Sequence, residues 1–409
     1  MWGPAHIDGD DVSSEPYLCQ AVLDEISSAH VQSVGDAFSP LLDADHELDD
    51  LDGTTLKDRI SRHSFSSGYG AGQLANNSAA LTTFLLLNTM VGSGILNQPY
   101  VFYKSGVVGA SLAFAVASLA TWVGLLVLTE VGIYANVLEY SGLAKKAFAK
   151  NGERLIDVAI VITGFGSILG YILVVGTTLS GLLVSWGCQP EGVCSVNWTT
   201  SLVVGLLVTP ICLFRHFGHL AILSLFSVLA IVAVLLLVII GGPLQYQPDS
   251  GPVNLFDAQG MLASTGSIVF SLSCASANFQ AFISTAKEAR TLSAWMGITA
   301  VAVFVGALMC AAMGLGGYLS FRDATNGEIL DNFQGSKFDF FKVMVVCHLI
   351  LYIPVSFVIT RYSFVKLCFG VRSETLPATT HTLLSVAMMA FTTLFVLMML
   401  HLGLASGQV

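Results

Sequence analysis

The sequence predicts an all-α polytopic membrane protein, on three observations. Hydrophobic residues make up 54% of the 409 positions and charged residues only 11%, a balance that soluble globular domains do not reach. Apolar runs of about 18 residues or more recur along the chain, the length an α-helix needs to cross a bilayer. Charge is also segregated: residues 1–62 hold 14 Asp and Glu against 3 Lys and Arg, so the net charge of −10 lies mostly in that stretch, and the remainder carries 13 acidic and 14 basic residues.

The first 78 or so residues are rich in Asp, Ser, Gly and Ala without sustained periodicity, the composition of a disordered acidic tail. No basic n-region precedes an apolar h-region there, so the first span is expected to act as the insertion signal. Nine spans are then predicted, at about 81–103, 107–134, 155–186, 199–214, 219–241, 260–284, 292–320, 340–360 and 380–404. With the N-terminus cytoplasmic, 13 of the 17 Lys and Arg fall on the inner side, and Lys104, Arg322, Lys337 and Lys342 remain outside. Of the eight cysteines, only Cys188 and Cys194 sit together, in "CQPEGVC". A bridge and two free thiols are both open there.

The first span holds the chemistry. "LLLNTMVGSGILNQPYVFYKSG", residues 85–106, places Gly92, Ser93, Gly94, Asn97, Gln98 and Pro99 at a depth where a bilayer offers no hydrogen-bond partners. Single small residues in spans serve close helix packing, as Gly166 and Gly170 in the third span are expected to do. Two glycines around a serine, with a proline five residues on, interrupt the helix instead, and unwound backbone survives at depth only where it lines a cavity or site. The half-helix ending near Val91 then offers the carbonyls of Asn88 to Val91 to an ammonium group or cation, and the half starting near Ile95 offers N–H groups to a carboxylate. One break thus suits a zwitterion, an amino acid, with Ser93 adding a hydroxyl. An inverted repeat would place a second break five spans later, and the sixth span carries the polar run Ser271, Ser273, Cys274, Ser276, Asn278 and Gln280, though without Gly or Pro.

At these residues the chain resembles the amino acid/auxin permease family of secondary amino acid transporters. The resemblance runs from about residue 80 to the end. It is carried by "NTMVGSGILNQPYVFYKSG", "SCASANFQAFISTAKE", "GYLSFRDATNGEILDNF" from Gly317 to Phe333, and "PVSFVITRYSFVKL" from Pro354. It implies a core similar to the five-plus-five inverted repeat of the bacterial leucine transporter, with amino acids moved by alternating access. Family members usually have eleven spans, so the chain is expected to be truncated after its ninth, which leaves an incomplete fragment or a non-transporting amino acid sensor as the alternative to a transporter. In sodium-coupled members an Asn matching Asn88 and a Thr in the eighth span help bind the ion. Here "CHLILYIP" supplies no Thr and Ser356 follows, while His348 is the competing proton carrier.

The expected substrate site is therefore Gly92, Ser93, Gly94, Ile95, Ser273, Cys274 and Ser276, with Asn88, Ser356 and His348 for the coupling ion, H+ or Na+. Glu130 at the inner end of the second span, and Tyr171 and Phe270 as wall residues, have headgroup and packing readings of their own. No paired aspartates or nucleophile elbow point to an enzyme, and no charge rings to a channel. The partners implied are an amino acid and the bilayer, with no prosthetic group and no nucleic acid. The membrane is vacuolar or lysosomal, or the plasma membrane.

Overall fold

The computed structural model describes residues 76–190, 192–245, 251–333 and 335–402. All but the last three residues of the expected acidic tail lie outside it. The described chain is helical throughout, with one isolated parallel bridge between Asn77 and Thr285 and no strand among the described residues.

The helices are α1 (Ala79–Met90), α2 (Gln98–Ser105), α3 (Val107–Tyr134), α4 (Tyr140–Ser185), α5 (Val196–Val203), α6 (Thr209–Cys212), α7 (Ala221–Gly241), α8 (Ala258–Ser271), α9 (Asn278–Ser284), α10 (Leu292–Phe321), α11 (Asp339–Phe369) and α12 (Ala378–His401). Their starts follow local chemistry: the side chains of Ser78, Ser195, Asp257 and Thr291 accept from backbone N–H groups in the first turns of α1, α5, α8 and α10. Gly370, left-handed at φ 68°, ends α11. Gly106 turns α2 into α3 at φ 75°, and a Cβ there would lie 2.5 Å from the Phe256 nitrogen. No other residue fits that crossing.

Seven helical segments among the described residues are long and apolar enough to cross a membrane, and α1 with α2 makes an eighth, bent by 54° at its break. The fourth expected span departs from the rest. Val196–Cys212 is a shorter apolar helix, in which α5 and α6 are joined by a π-helical turn at Val204–Val208, so the count by length and composition is eight rather than nine. The third expected span starts earlier than 155, because α4 runs from Tyr140 through a kink at Phe148 and Ala149. Cys188 and Cys194 are joined by a disulfide between α4 and α5.

Large apolar side chains face outward, including Leu112 and Val116 on α3, Leu262 on α8, Leu308 on α10 and Leu383 on α12. This is the inside-out pattern of a surface that meets lipid tails. The interior is held by polar seams: Thr82 to Thr285 at 3.2 Å, Thr129 to Asn278 at 2.7 Å, and Gln98 to Ser271 at 2.8 Å. At the end where α4 begins, Lys366 of α11 is paired with Glu139, with Glu153 at 3.0 Å and with Ser141 at 2.8 Å.

Arg361 is fully buried and donates to the carbonyls of Cys212 and Phe214, at the end of α6, and to Ser385 of α12. It therefore staples α11 to two neighbours. Arg361→Ala is expected to cost about 3 kcal/mol and Ser385→Ala about 1 kcal/mol, since hydrogen bonds to a buried charged group are worth more than a neutral one. Thermal unfolding of the purified protein in detergent checks the order.

Candidate functional site

The site is built by two interrupted helices. Val91 closes α1, and the chain crosses the break as a 3-10 turn, Ser93–Asn97, before α2. The second interruption runs from Leu272 to Ala277, between α8 and α9, and includes a 3-10 turn at Ala275–Ala277. This is the break that the sixth span carries without a Gly or Pro to announce it. Both breaks face α4 and α11 across a cavity of about 250 Å³.

Gly92, Gly94, Ser273, Cys274, Ser276 and Ser356 all line that cavity. The Ser93 side chain lies outside the described ones. Ile95 is different: its side chain is fully buried in the core, and its N–H donates to the Gly92 carbonyl at 3.3 Å. The 3-10 restart consumes that donor, so the N–H groups left at the break belong to residues before it. The carbonyl end is narrowed as well. Gly92 N–H bonds the Met90 carbonyl at 3.0 Å, and the Tyr352 hydroxyl donates to the Thr89 carbonyl at 3.0 Å.

Two tyrosines form the wall against the first break. The rings of Tyr171 on α4 and Tyr352 on α11 meet edge to face at 5.0 Å. A Cβ on residue 92 would lie 2.9 Å from Tyr352 Cζ and 3.0 Å from Tyr171 Oη, so only glycine lets the backbone approach. A Cβ on residue 94 would lie 2.9 Å from Ser271 Oγ, the atom that accepts from Gln98 Nε2. Phe270 lines the cavity too. Tyr352 and Thr89 carry no local sequence signal, because they pair with each other across 263 positions, whereas Ser271 belongs to the polar run of the sixth span.

The three residues expected at the coupling ion do not come together. Asn88 is fully buried and its Nδ2 donates to Ser224 of α7 at 3.2 Å, while its Oδ1 meets no partner among the described residues. His348 is also fully buried; its Nδ1 is 2.8 Å from Ser227 Oγ, one turn along α7 from Ser224. The other side of the ring faces the Val91 carbonyl, without a hydrogen bond of good geometry at Nε2. Asn88 and His348 thus flank one seam on α7, whereas Ser356 lies about two turns of α11 away, in the cavity. Among the described residues no cluster of His, Cys, Asp and Glu could hold a metal ion.

Among the described residues, no Asp, Glu, Lys, Arg or His lines the cavity. Spans interrupted around a cavity are a pattern of multi-span membrane proteins that take a small molecule at the helix breaks. Residues 75–407 match the family described as transmembrane amino acid transporter protein. The chain belongs to that family, which is one of transporters and not of enzymes. It is 26% identical over 262 residues to vacuolar amino acid transporter 2 of Saccharomyces cerevisiae, covering 61% of this chain and 54% of the yeast protein. It is 27% identical over 361 residues to the putative sodium-coupled neutral amino acid transporter 11 of Mus musculus, covering 85% and 76%. With sodium-coupled neutral amino acid transporter 7 of Homo sapiens the identity is 22% over 258 residues, covering 60% and 55%. The chain therefore spans little more than half the length of two of these relatives.

Backbone recognition at the first break is tested by bulk rather than polarity. Gly94→Val is expected to abolish binding of labelled amino acid, and Ser93→Ala to have a milder effect, in a scintillation proximity assay. Near-normal binding by Gly94→Val would remove the first break from the site.

Proposed function

We propose that the chain is a secondary active transporter of amino acids working by alternating access. The observation that carries this reading is the meeting of two helix breaks at one cavity whose wall, among the described residues, holds no Asp, Glu, Lys, Arg or His. A zwitterion brings a positive and a negative group, and with no side-chain counter-charge the broken helices supply both: carbonyls at the end of α1, N–H groups before α2. Gly92 and Gly94 admit the ligand's backbone, and Ser273, Cys274 and Ser276 face it from the second break. The absence of a counter-charge for a charged side chain favours neutral amino acids, the class in the printed names of the mouse and human relatives. The two breaks, five spans apart in the sequence-based count, support the five-plus-five inverted repeat and rocking of one helix bundle against a scaffold. The cation bias supports a cytoplasmic N-terminus and Lys366 end, and a vacuolar or plasma membrane fits the relatives' names.

Two ions compete for the coupling role, each with an observation behind it. His348, buried between Ser227 and the Val91 carbonyl, sits where the end of α1 could respond to a proton. Asn88 Oδ1, buried and unpartnered among the described residues, is the oxygen a sodium ion would take. Uptake of labelled amino acids into proteoliposomes under separately imposed H+ and Na+ gradients decides between them. If the proton is coupled, His348→Gln is expected to abolish accumulation while leaving exchange of internal for external substrate. If sodium is coupled, Asn88→Ala has that effect instead. Folded protein that binds amino acids yet gives no flux under either gradient would replace transport with sensing.

A further inference from the structure

At the end of the molecule opposite Lys366, the chain after α10 folds back over the first break. Arg322, in a left-handed turn at φ 48°, leads into the segment up to Phe333, whose short 3-10 turn Ile329–Asn332 packs against the 3-10 turn of the broken span. Ile329 is its wedge. It is fully buried, and its Cδ1 lies 3.0 Å from the point where a Cβ on Gly317 would stand, a point 2.5 Å from Pro99 Cγ. Ile329 therefore fills the crossing of α2 and α10. Phe333 anchors the far end, edge to face with Phe321 at 5.3 Å and with Phe338 at 5.1 Å. The segment is also tied to itself: Asn332 Nδ2 donates to the Ala324 carbonyl at 2.7 Å, and Asn332 Oδ1 accepts from Asn326 N–H at 2.9 Å.

Glu328 stands immediately before the wedge. The residue as a whole is half-buried, but one carboxylate oxygen, Oε1, is fully buried and finds no hydrogen-bond partner among the described residues. A carboxylate so placed is poorly solvated, while a neutral carboxyl tolerates the position. Among the described residues, the one charged neighbour that acts on it is acidic. Asp331 in the same turn repels it, and Lys342 at the start of α11 acts on Asp331. Arg322 turns to the Gly251 carbonyl at 2.7 Å, Asp323 packs at Gly251, and Lys337 sits over the Phe338 ring. Burial first, and Asp331 second, push the Glu328 carboxyl up to about 7 from its ordinary 4.5.

We infer that Glu328 is a proton-operated latch, protonated while the segment Arg322–Phe333 is seated on the broken span and ionised when that segment lifts away. The segment lies at one end of the molecule, so the proton enters and leaves from one face; it acts on the packing of the segment against the first break and is not the ion carried across. The bearing on uptake rests on the transport reading above; the latch itself does not.

The sign follows from linkage. A lifted, hydrated Glu328 titrates near 4.5 and a seated one near 7. Seating is thus most favoured at and below pH 4.5, weakens as pH rises to about 7, and changes no further above that. One proton limits the slope to about tenfold in the seating equilibrium per pH unit.

Hydrogen–deuterium exchange of the full chain in nanodiscs, stepped from pH 4.5 to 8 and corrected for intrinsic rates, tests this without any flux. In the wild type the amides of residues 329–333 are expected to gain protection on acidification from 7 to 4.5, by at most about tenfold per unit. Glu328→Gln should hold them protected at every pH, and Glu328→Asp should keep a slope with a moved midpoint. Flat wild-type protection across this window, or an unaltered slope in Glu328→Gln, overturns the latch. A wild-type slope that Glu328→Gln removes, in protein without uptake, leaves the latch standing and overturns only transport.

Discussion

A bilayer core supplies no water to an unpaired N–H or carbonyl, and the architecture around α1 and α2 answers that one constraint. Interrupting a span frees backbone groups at both sides of the break, and each must find a partner from elsewhere in the chain or face a ligand. Tyr352 caps the Thr89 carbonyl, Gln98 reaches back to the Gly94 carbonyl at 2.8 Å and across to Ser271, and Asn88 is held by Ser224. These bonds satisfy the break and also fix its direction. What they leave unpaired is what a substrate could use, so in the proposed reading recognition and structural integrity would draw on the same set of backbone atoms.

This sharing explains the choice of residues nearby. Gly92 is small because Tyr171 and Tyr352 occupy the space a side chain would take, and those rings are where they are because one of them caps the helix end. Gly94 is small because Ser271 must stay within reach of Gln98, which links the two interrupted spans. A substitution at Gly94 is therefore felt at both interrupted spans, and one at Gly92 at the tyrosine wall. The seam of Ser224 and Ser227 on α7 plays the matching part on the other flank, holding Asn88 and His348 in fixed relation to the end of α1.

The first break was legible in the sequence because Gly92, Ser93, Gly94 and Pro99 each oppose a helix by a local mechanism, and local mechanisms are what a sequence displays. The second break was fainter, since Leu272 to Ala277 leave the helix without Gly or Pro and rely on tertiary partners such as Thr129 for Asn278. Span positions followed from apolar length. The exceptions were Val196–Cys212, an apolar helix below the length of the other spans, and the early start of α4, which the pairing of Lys366 with Glu139 and Glu153 pins from 200 residues away or more. The wall tyrosine Tyr352 could not be read at all, because its role depends on Thr89, 263 positions distant. Ile95 was misplaced for a related reason: residue spacing gives no sign that the chain restarts as a 3-10 turn and consumes that N–H.

The uncharged lining of the cavity has an electrical consequence. Moving one elementary charge through a membrane potential costs or yields about 2.3 kcal/mol per 100 mV. Under the transport reading proposed above, a cavity with no formally charged side chain among the described residues, empty or holding a neutral zwitterion, would feel almost none of that field if its access switched from one face to the other. Net current in such a protein would then belong to the coupling ion alone, and the ratio of charge to substrate moved would count those ions directly.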